Sequence, residues 1–320
     1  MPDDRDDLQG FLFIGDPHVA NRAPGFRKDE FARTVLDKLT FAMNYARENR
    51  LMPVLLGDLF DVAHNNANWI VAEMLRLFDG GVFTVCGNHD RREDMLADHD
   101  SLSLLILAGR IKLLDEIGPW VGTMNGATVV LGGTPNHQFL PKSFDRSALP
   151  SDRPAFVFWV SHHNLNFPTF EHEKPVRCVE IPGIDVVVNG HIHRSLDDVV
   201  CRSTLWVNPG NITRLSRTEA ARQHVPAVLR VDVTRDGYAR QRVTVPHRPF
   251  DEVFHPETSG PEIKLTESVF IKELAALQAA RTESGAGLQS FLDANLPQFP
   301  QSVADEIRRL AKEVLSDAAN

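Results

Sequence analysis

Five short apolar runs of strand length recur along the first two thirds of the chain, and each breaks off into a polar loop. They are Phe11 to Ile14, Pro53 to Leu56, Val82 to Cys86, Phe156 to Val160 and Val186 to Val188. Between the first three lie stretches with apolar positions three and four apart: Phe31, Val35, Leu39, Ala42 and Ala46, then Trp69, Met74, Leu75 and Phe78. That spacing is the period of a helix with one buried face. Asp29 is placed to cap the first helix, Asp61 stands at the approach to the second, and His64 falls on the rim beside it. Alternating strands and helices predict a mostly parallel sheet, in which ligands sit beyond the carboxyl ends of the strands. All five polar loops then converge on one edge.

Further along, Ser101 to Ala108 reads as a short helix with a strand after Gly109, and Asn125-Gly126 reads as a hairpin turn inside Trp120 to Gly132. Leu205 to Val207, Ala227 to Val233 and, after the turn Asp236-Gly237, Tyr238 to Val245 are expected to be antiparallel β and to complete a second sheet. The character changes from about Pro256. Ser259-Gly260-Pro261 is linker-like, Leu265, Val269, Leu274 and Leu277 form a helical stripe, and Ser302-x-x-Asp305 opens a second helix carrying Val303, Ile307, Leu310 and Val314.

Composition narrows the setting. A chain of 320 residues, 42% apolar and 24% charged, can bury a full core. The three cysteines, Cys86, Cys178 and Cys201, are scattered without a CxxC, which points to buried thiols in a reducing compartment. The acidic N-terminus is unlike a signal peptide, and no run reaches the roughly 18 apolar residues of a membrane span, so a cytoplasmic protein is expected. The net charge of −9 is unevenly spread: residues 251–320 carry twelve acids against six bases, and residues 3–7 carry four Asp against one Arg. The body between them is close to neutral, so a polyanionic substrate is not excluded, although a strong non-specific DNA binder is.

The chemistry lies in the loops: Gly15-Asp16-Pro17-His18, Gly57-Asp58-Leu59-Phe60-Asp61, Gly87-Asn88-His89-Asp90, Ser161-His162-His163 and Gly190-His191-Ile192-His193. A single Gly-Asp or Gly-Asn-His is an ordinary turn after a strand, but five such loops at five strand ends read as a metal site. Oxygen and imidazole donors without thiolate suit manganese, iron, zinc or magnesium rather than copper(I). In Gly-His-x-His, alternate residues of an extended segment face one side, so both imidazoles can face the metals while Ile192 faces the core. Of the adjacent pair, His162 is nearer the strand end than His163 and is the expected ligand.

Over about residues 10 to 215 this set of motifs resembles the calcineurin-like metallophosphoesterase superfamily. Gly-Asp-Leu-Phe-Asp, Gly-His-Ile-His-Arg, Asn208-Pro209-Gly210-Asn211 and Glu219 look most like its SbcD-type DNA-repair exonucleases. The resemblance implies an α/β fold, a two-sheet sandwich flanked by helices (α/β/β/α), with a catalytic domain over 8–250 and a helical extension over 256–320. It implies two divalent ions, manganese foremost. One is held by Asp16, His18 and His193, the other by Asn88, His162 and His191, and Asp58 bridges them, since one carboxylate can serve two metals and partly neutralise their repulsion. His89 takes the role of the acid that protonates the leaving alkoxide, with Asp90 orienting it. Arg22, Arg91, Arg92 and Arg194 are phosphate contacts or solvated surface.

The implied activity is phosphodiester hydrolysis by a DNA exo- or endonuclease subunit. A cyclic-nucleotide or other small-molecule phosphodiesterase or phosphatase is the alternative, and a non-catalytic scaffold on the same fold is a second. The C-terminal helices either pack on their own domain or bind a partner, a coiled-coil ATPase of SbcC type or a second copy of the chain.

Overall fold

The computed structural model describes residues 8–24, 26–93, 95–170 and 175–256, together with 296, 301, 303–305 and 307–309. The chain divides into two compact units, Met1–Pro256 and Glu257–Asn320. The first predicted C-terminal helix, with Leu265 and Leu277, lies outside the described residues. In the second, 301, 303–305 and 307–309 are helical.

The first half winds strand, helix, strand as its periodicity demands: β1 (Gly10–Ile14), α1 (Phe31–Glu48), β2 (Leu51–Leu55), α2 (Asn68–Leu77), β3 (Val82–Thr84), α3 (Ser101–Leu107), β4 (Ile111–Leu113) and α4 (Leu114–Ile117). The second half holds β5 (Trp120–Met124), β6 (Ala127–Thr134), β7 (Ala155–Ser161), β8 (Leu165–Asn166), β9 (Val176–Arg177), β10 (Val186–Asn189), β11 (Val199–Cys201) and β12 (Thr204–Val207). After α5 (Glu219–Gln223), the hairpin β13 (Ala227–Thr234) and β14 (Gly237–Thr244) leads to α6 (Phe250–Val253).

Two six-stranded mixed sheets result, ordered β14-β13-β1-β2-β3-β4 and β11-β12-β10-β7-β6-β5. Their facing sides form one apolar core, including Phe11, Phe13, Val54, Phe83, Phe158 and Val188. Helices α1, α2 and α3 bury Val35, Leu39, Met74 and Leu105 on the outer face of the first sheet. Over the outer face of the second sheet pack loop residues such as Ile181, Ile184 and Phe167, around Trp159 and Trp206. The hairpin at Asn125-Gly126 forms as predicted, with φ of 47° and 82° at the two turn residues, the left-handed pair that a tight hairpin requires.

Four local expectations are corrected. Strands β13 and β14 join the first sheet, not the second: β13 runs antiparallel beside β1, with Phe11 opposite Val231. The β1-β2-β3-β4 winding advances in one direction and leaves the other edge of the fully buried β1 to be covered. Strand β12 sits in the second sheet and runs antiparallel to β11 as expected, but its other neighbour, β10, lies parallel to it. Asp29 does not cap α1, whose N-cap is Glu30 without a side-chain bond. Asp29 instead pairs with Arg27 and accepts a hydrogen bond from Thr34. Trp69 is 40% exposed under the Arg33 guanidinium, because the apolar face of α2 is centred on Ile70, Val71 and Met74.

Candidate metal centre

Strands β1, β2 and β3 of the first sheet and β7 and β10 of the second deliver their loops to the same end of the sandwich, where, among the described residues, three groups of donor atoms gather; one is His18, Asp61 and His89, and the other two share a carboxylate. Of these two, Asp16, His18, Asp58 and His193 form the first and Asp58, His162 and His191 the second, so Asp58 belongs to both. Asp58 Oδ2 lies 3.1 Å from His162 Nε2 and 3.6 Å from His18 Nε2. Asn88 joins the second group, its Oδ1 being 3.2 Å from His162 Nε2. In the first group, His18 Nε2 and His193 Nε2 are 2.9 Å apart. Every residue expected to hold metal is therefore brought to one place, in the two sets the resemblance implies.

The loops reach this geometry at a conformational cost. Among the described residues, nine other than glycine have positive φ, and Asp16 (35°), His18 (47°), Asp58 (47°) and His191 (69°) are four of them. Side chains disfavour that region, and such strain concentrates where surrounding structure enforces a functional geometry. The enforcement is visible in the backbone: His18 N donates to Asp58 O at 3.0 Å and Val19 N to Leu59 O at 2.9 Å. Close approach explains two glycines. A Cβ at Gly57 (φ 94°) would stand 2.4 Å from His162 Nδ1, and one at Gly87 would stand 2.1 Å from Asp58 Oδ1.

Beneath the site, a buried amide pair fixes two more loops. Asn189 Oδ1 accepts from Ser161 Oγ at 2.7 Å and from His163 N at 3.0 Å, while its Nδ2 donates to Asn208 Oδ1 at 2.9 Å. Asn208 Nδ2 in turn donates to Ile192 O at 2.8 Å and Arg194 O at 2.7 Å. One chain of hydrogen bonds thus clamps the His162 loop to the His191 and His193 loop. Asn189 went unnoticed as a functional position, although a polar residue closing the run Val186-Val187-Val188 is the visible signal.

The donor set fits cations. His162 Nδ1 donates to Leu56 O at 2.6 Å, which leaves Nε2 facing Asp58 Oδ2 and Asn88 Oδ1, two acceptors. Against its burial, the Asp58 charge raises the ring to about 9, the place of positive charge that a bound cation would take over. Asp16 Oδ2 is buried without a hydrogen-bond partner among the described residues. Burial first, and then the Asp58 charge, raises the Asp16 carboxyl to about 6 against the pull of His162. Burial, with His18 beside it, pushes His193 down to about 3. Converging lone pairs, an unpartnered buried carboxylate oxygen and an imidazole held neutral are what divalent ions would satisfy.

His162, fully buried, is the member of its pair that faces the centre. His163 turns away and sets Nε2 2.8 Å from Gln138 O. His89 stands beside His18, ring centroids 4.7 Å apart, with its side chain 42% exposed. Its orienting partner is Asp61 rather than Asp90: His89 Nδ1 lies 2.7 Å from Asp61 O. The Asp90 carboxylate is buried and accepts from Phe60 N and Gly87 N, which binds the second loop to the third. Asp61 caps no helix, since α2 starts seven residues later and its N-cap is Ala67. Its Oδ1 is 3.3 Å from His18 Nδ1, and its backbone holds His89.

The arginines divide. Arg22, Arg92 and Arg194 are exposed, and Arg194 lies over the Phe170 ring. Arg91 is half-buried and gives Nη1 to Glu93 O at 2.6 Å, so its guanidinium is partly committed to its own loop. In the expected basic rim, Arg27 is buried against Asp29, whereas Lys28 stays exposed and gives Nζ to Asp251 O at 2.8 Å. Cys86, Cys178 and Cys201 are free thiols, but only Cys86 is buried and the other two are half-buried; among the described residues no helix is long and apolar enough to cross a membrane.

Residues 10–195 match the family model of the calcineurin-like phosphoesterases. No curated protein matches the sequence. Among solved structures, the chain is similar to the Thermus thermophilus sulfate thiohydrolase SoxB, with 16% identity over 75% of this chain and 54% of that one and a TM-score of 0.41. The Haemophilus influenzae NAD nucleotidase gives 13% identity over 74% and 50%, with a TM-score of 0.42. The yellow lupin purple acid phosphatase PPD1 gives 13% over 73% and 51%, with a TM-score of 0.44. The chain spans about half the length of these solved proteins. With the family match covering more than half of the sequence and the donor loops gathered at one end of the sandwich, the chain belongs to the calcineurin-like phosphoesterases, a family of metal-dependent phosphoester hydrolases with a dinuclear metal site.

Proposed function

We propose that the protein is a two-metal phosphodiesterase whose substrate is DNA: a cytoplasmic nuclease subunit of SbcD type that uses manganese. The observation that carries the reading is the sharing of Asp58 by two donor groups with the half-exposed His89 beside them. Asp16, His18 and His193 would hold one ion, Asn88, His162 and His191 the other, and Asp58 both. When bound, the two ions stabilise charge on the phosphoryl oxygens and activate the attacking water. His89 supplies the proton. With Nδ1–H held by Asp61 O, the protonated ring presents Nε2–H to the leaving oxygen, and the ring cannot swing away without breaking that bond. Asp61 thus acts through His89 and His18 as a positioning residue.

DNA as the substrate is supported by the motifs Gly57 to Asp61 and Asn208 to Asn211 and by the exposed Arg22, Arg92 and Arg194. Incubating the pure protein with manganese and labelled single- and double-stranded DNA, alongside bis-p-nitrophenyl phosphate, tests it. DNA cleavage is expected. Hydrolysis of the small ester alone would point to a small-molecule phosphodiesterase, and hydrolysis of neither to a scaffold. DNA affinity should fall with salt, and neutralising any one arginine that contacts a phosphate should reduce the slope of log affinity against log salt by roughly one. A slope unchanged in Arg22→Ala, Arg92→Ala and Arg194→Ala would remove these residues from the interface.

Partner binding is assigned to the unit Glu257–Asn320. A chain truncated after Pro256 keeps all proposed ligands and His89, and should still hydrolyse bis-p-nitrophenyl phosphate while losing co-purification with a coiled-coil ATPase or self-association. An insoluble truncated chain would show that these residues belong to the catalytic unit's own core.

A further inference from the structure

A second charged site lies under the metal centre. Helix α1 carries Lys38 on its buried face, between Val35 and Leu39, and the residue is only 5% exposed. Its Nζ donates to Ile212 O at 2.9 Å. Two guanidiniums join it. Arg27 gives Nε and Nη2 to the two carboxylate oxygens of Asp29, at 2.8 and 2.6 Å, and Nη1 to Arg214 O. Arg214, 7% exposed, gives Nε to His224 O at 2.9 Å and Nη1 to Arg248 O at 3.0 Å.

The charges do not balance. Asp29 is matched one to one by Arg27, and its Oδ2 also accepts from Thr34 Oγ1. Among the described residues, no other carboxylate pairs with Lys38 or Arg214. Two N–H groups of the Lys38 ammonium and Nη2 of Arg214 make no hydrogen bond to a described residue. These groups border a cavity of about 20 Å³, lined also by Arg27, Asp29, His247 and Arg248. A buried cation without a counter-charge is strongly disfavoured, and burial, then Arg27 and Arg214, push the Lys38 amine down to about 7.

We propose that this cavity binds a small monovalent anion of chloride size, held between Lys38 Nζ and Arg214 Nη2. Its volume of about 20 Å³ suits a single small ion. The anion would offset one of the two unmatched positive charges beneath segment 211–214. That segment supports the metal centre: Asn211 N donates to His193 O at 3.2 Å and Ile212 N to Gly15 O at 3.1 Å. The site is independent of which phosphoester the enzyme hydrolyses.

Thermal melting of the full-length protein in sodium chloride against sodium methanesulfonate, at one ionic strength, tests the proposal. A ligand that binds only the folded chain raises its melting temperature in a saturable way. A rise of about 3 °C is expected at high chloride, with bromide acting alike and Lys38→Met abolishing the difference. Should Lys38→Met fail to fold, crystals of the unaltered protein grown in bromide decide by anomalous scattering, with a peak expected between Lys38 and Arg214. Identical melting in the two salts, the same chloride response in Lys38→Met, or only water at that position would overturn the assignment.

Discussion

Asp58→Ala is expected to leave the purified protein with at most one divalent ion per chain and to lower phosphodiester hydrolysis by roughly 10³-fold or more, the several kcal/mol that metal ions contribute to the transition state. Asp58 is the one residue whose carboxylate faces both donor groups, and its other oxygen accepts from His89 N at 2.8 Å. Removing it takes away the charge common to the two ions and a brace of the third loop. Asp58→Asn separates these effects, because an amide oxygen can still accept from His89 N but brings no charge. The asparagine variant should fold and lose metal. Elemental analysis showing two full sites in either variant would refute the bridging role.

His89→Ala should fail in a different way. His89 lies outside the two groups that share Asp58 and meets only His18 and Asp61; it is half-exposed, tied to the site by its bond to Asp61 O and by its backbone. Both ions should stay, while hydrolysis slows by roughly 10² to 10⁴-fold, the range for loss of a positioned general acid. The loss should be large for DNA, whose departing alkoxide needs a proton, and small for bis-p-nitrophenyl phosphate, whose leaving group is stable as an anion. An equal loss on both substrates, or loss of metal, would contradict the assignment.

The strand ends and the order of the donor loops were legible in the sequence because each loop follows an apolar run, and parallel strands place such loops at one end; that these strands divide between two stacked sheets was not legible in the runs themselves. His162 was separable from His163 by its nearness to the strand end, which the observed geometry follows. What sequence could not give were contacts between loops distant in the chain. Asp61 read as a capping residue because its nearest neighbour in sequence is a helix, yet its partners are His18 and His89. Asp90 read as the partner of His89 because the two are adjacent, but adjacent residues in a tight loop point apart, and Asp90 turns inward to Phe60 N and Gly87 N. The placement of β13 and β14 failed for a related reason. An alternating hairpin pattern shows that two strands pair with each other and is silent on which sheet they extend.

The proposed chemistry requires two ions jointly held by one set of residues. Titrating manganese into metal-free protein, with bound metal and bis-p-nitrophenyl phosphate hydrolysis followed together, tests this most directly. Two ions per chain are predicted, with activity appearing only as the second site fills and vanishing on chelation. Undiminished hydrolysis by the chelated protein, or saturation at a single ion with full activity, would contradict it.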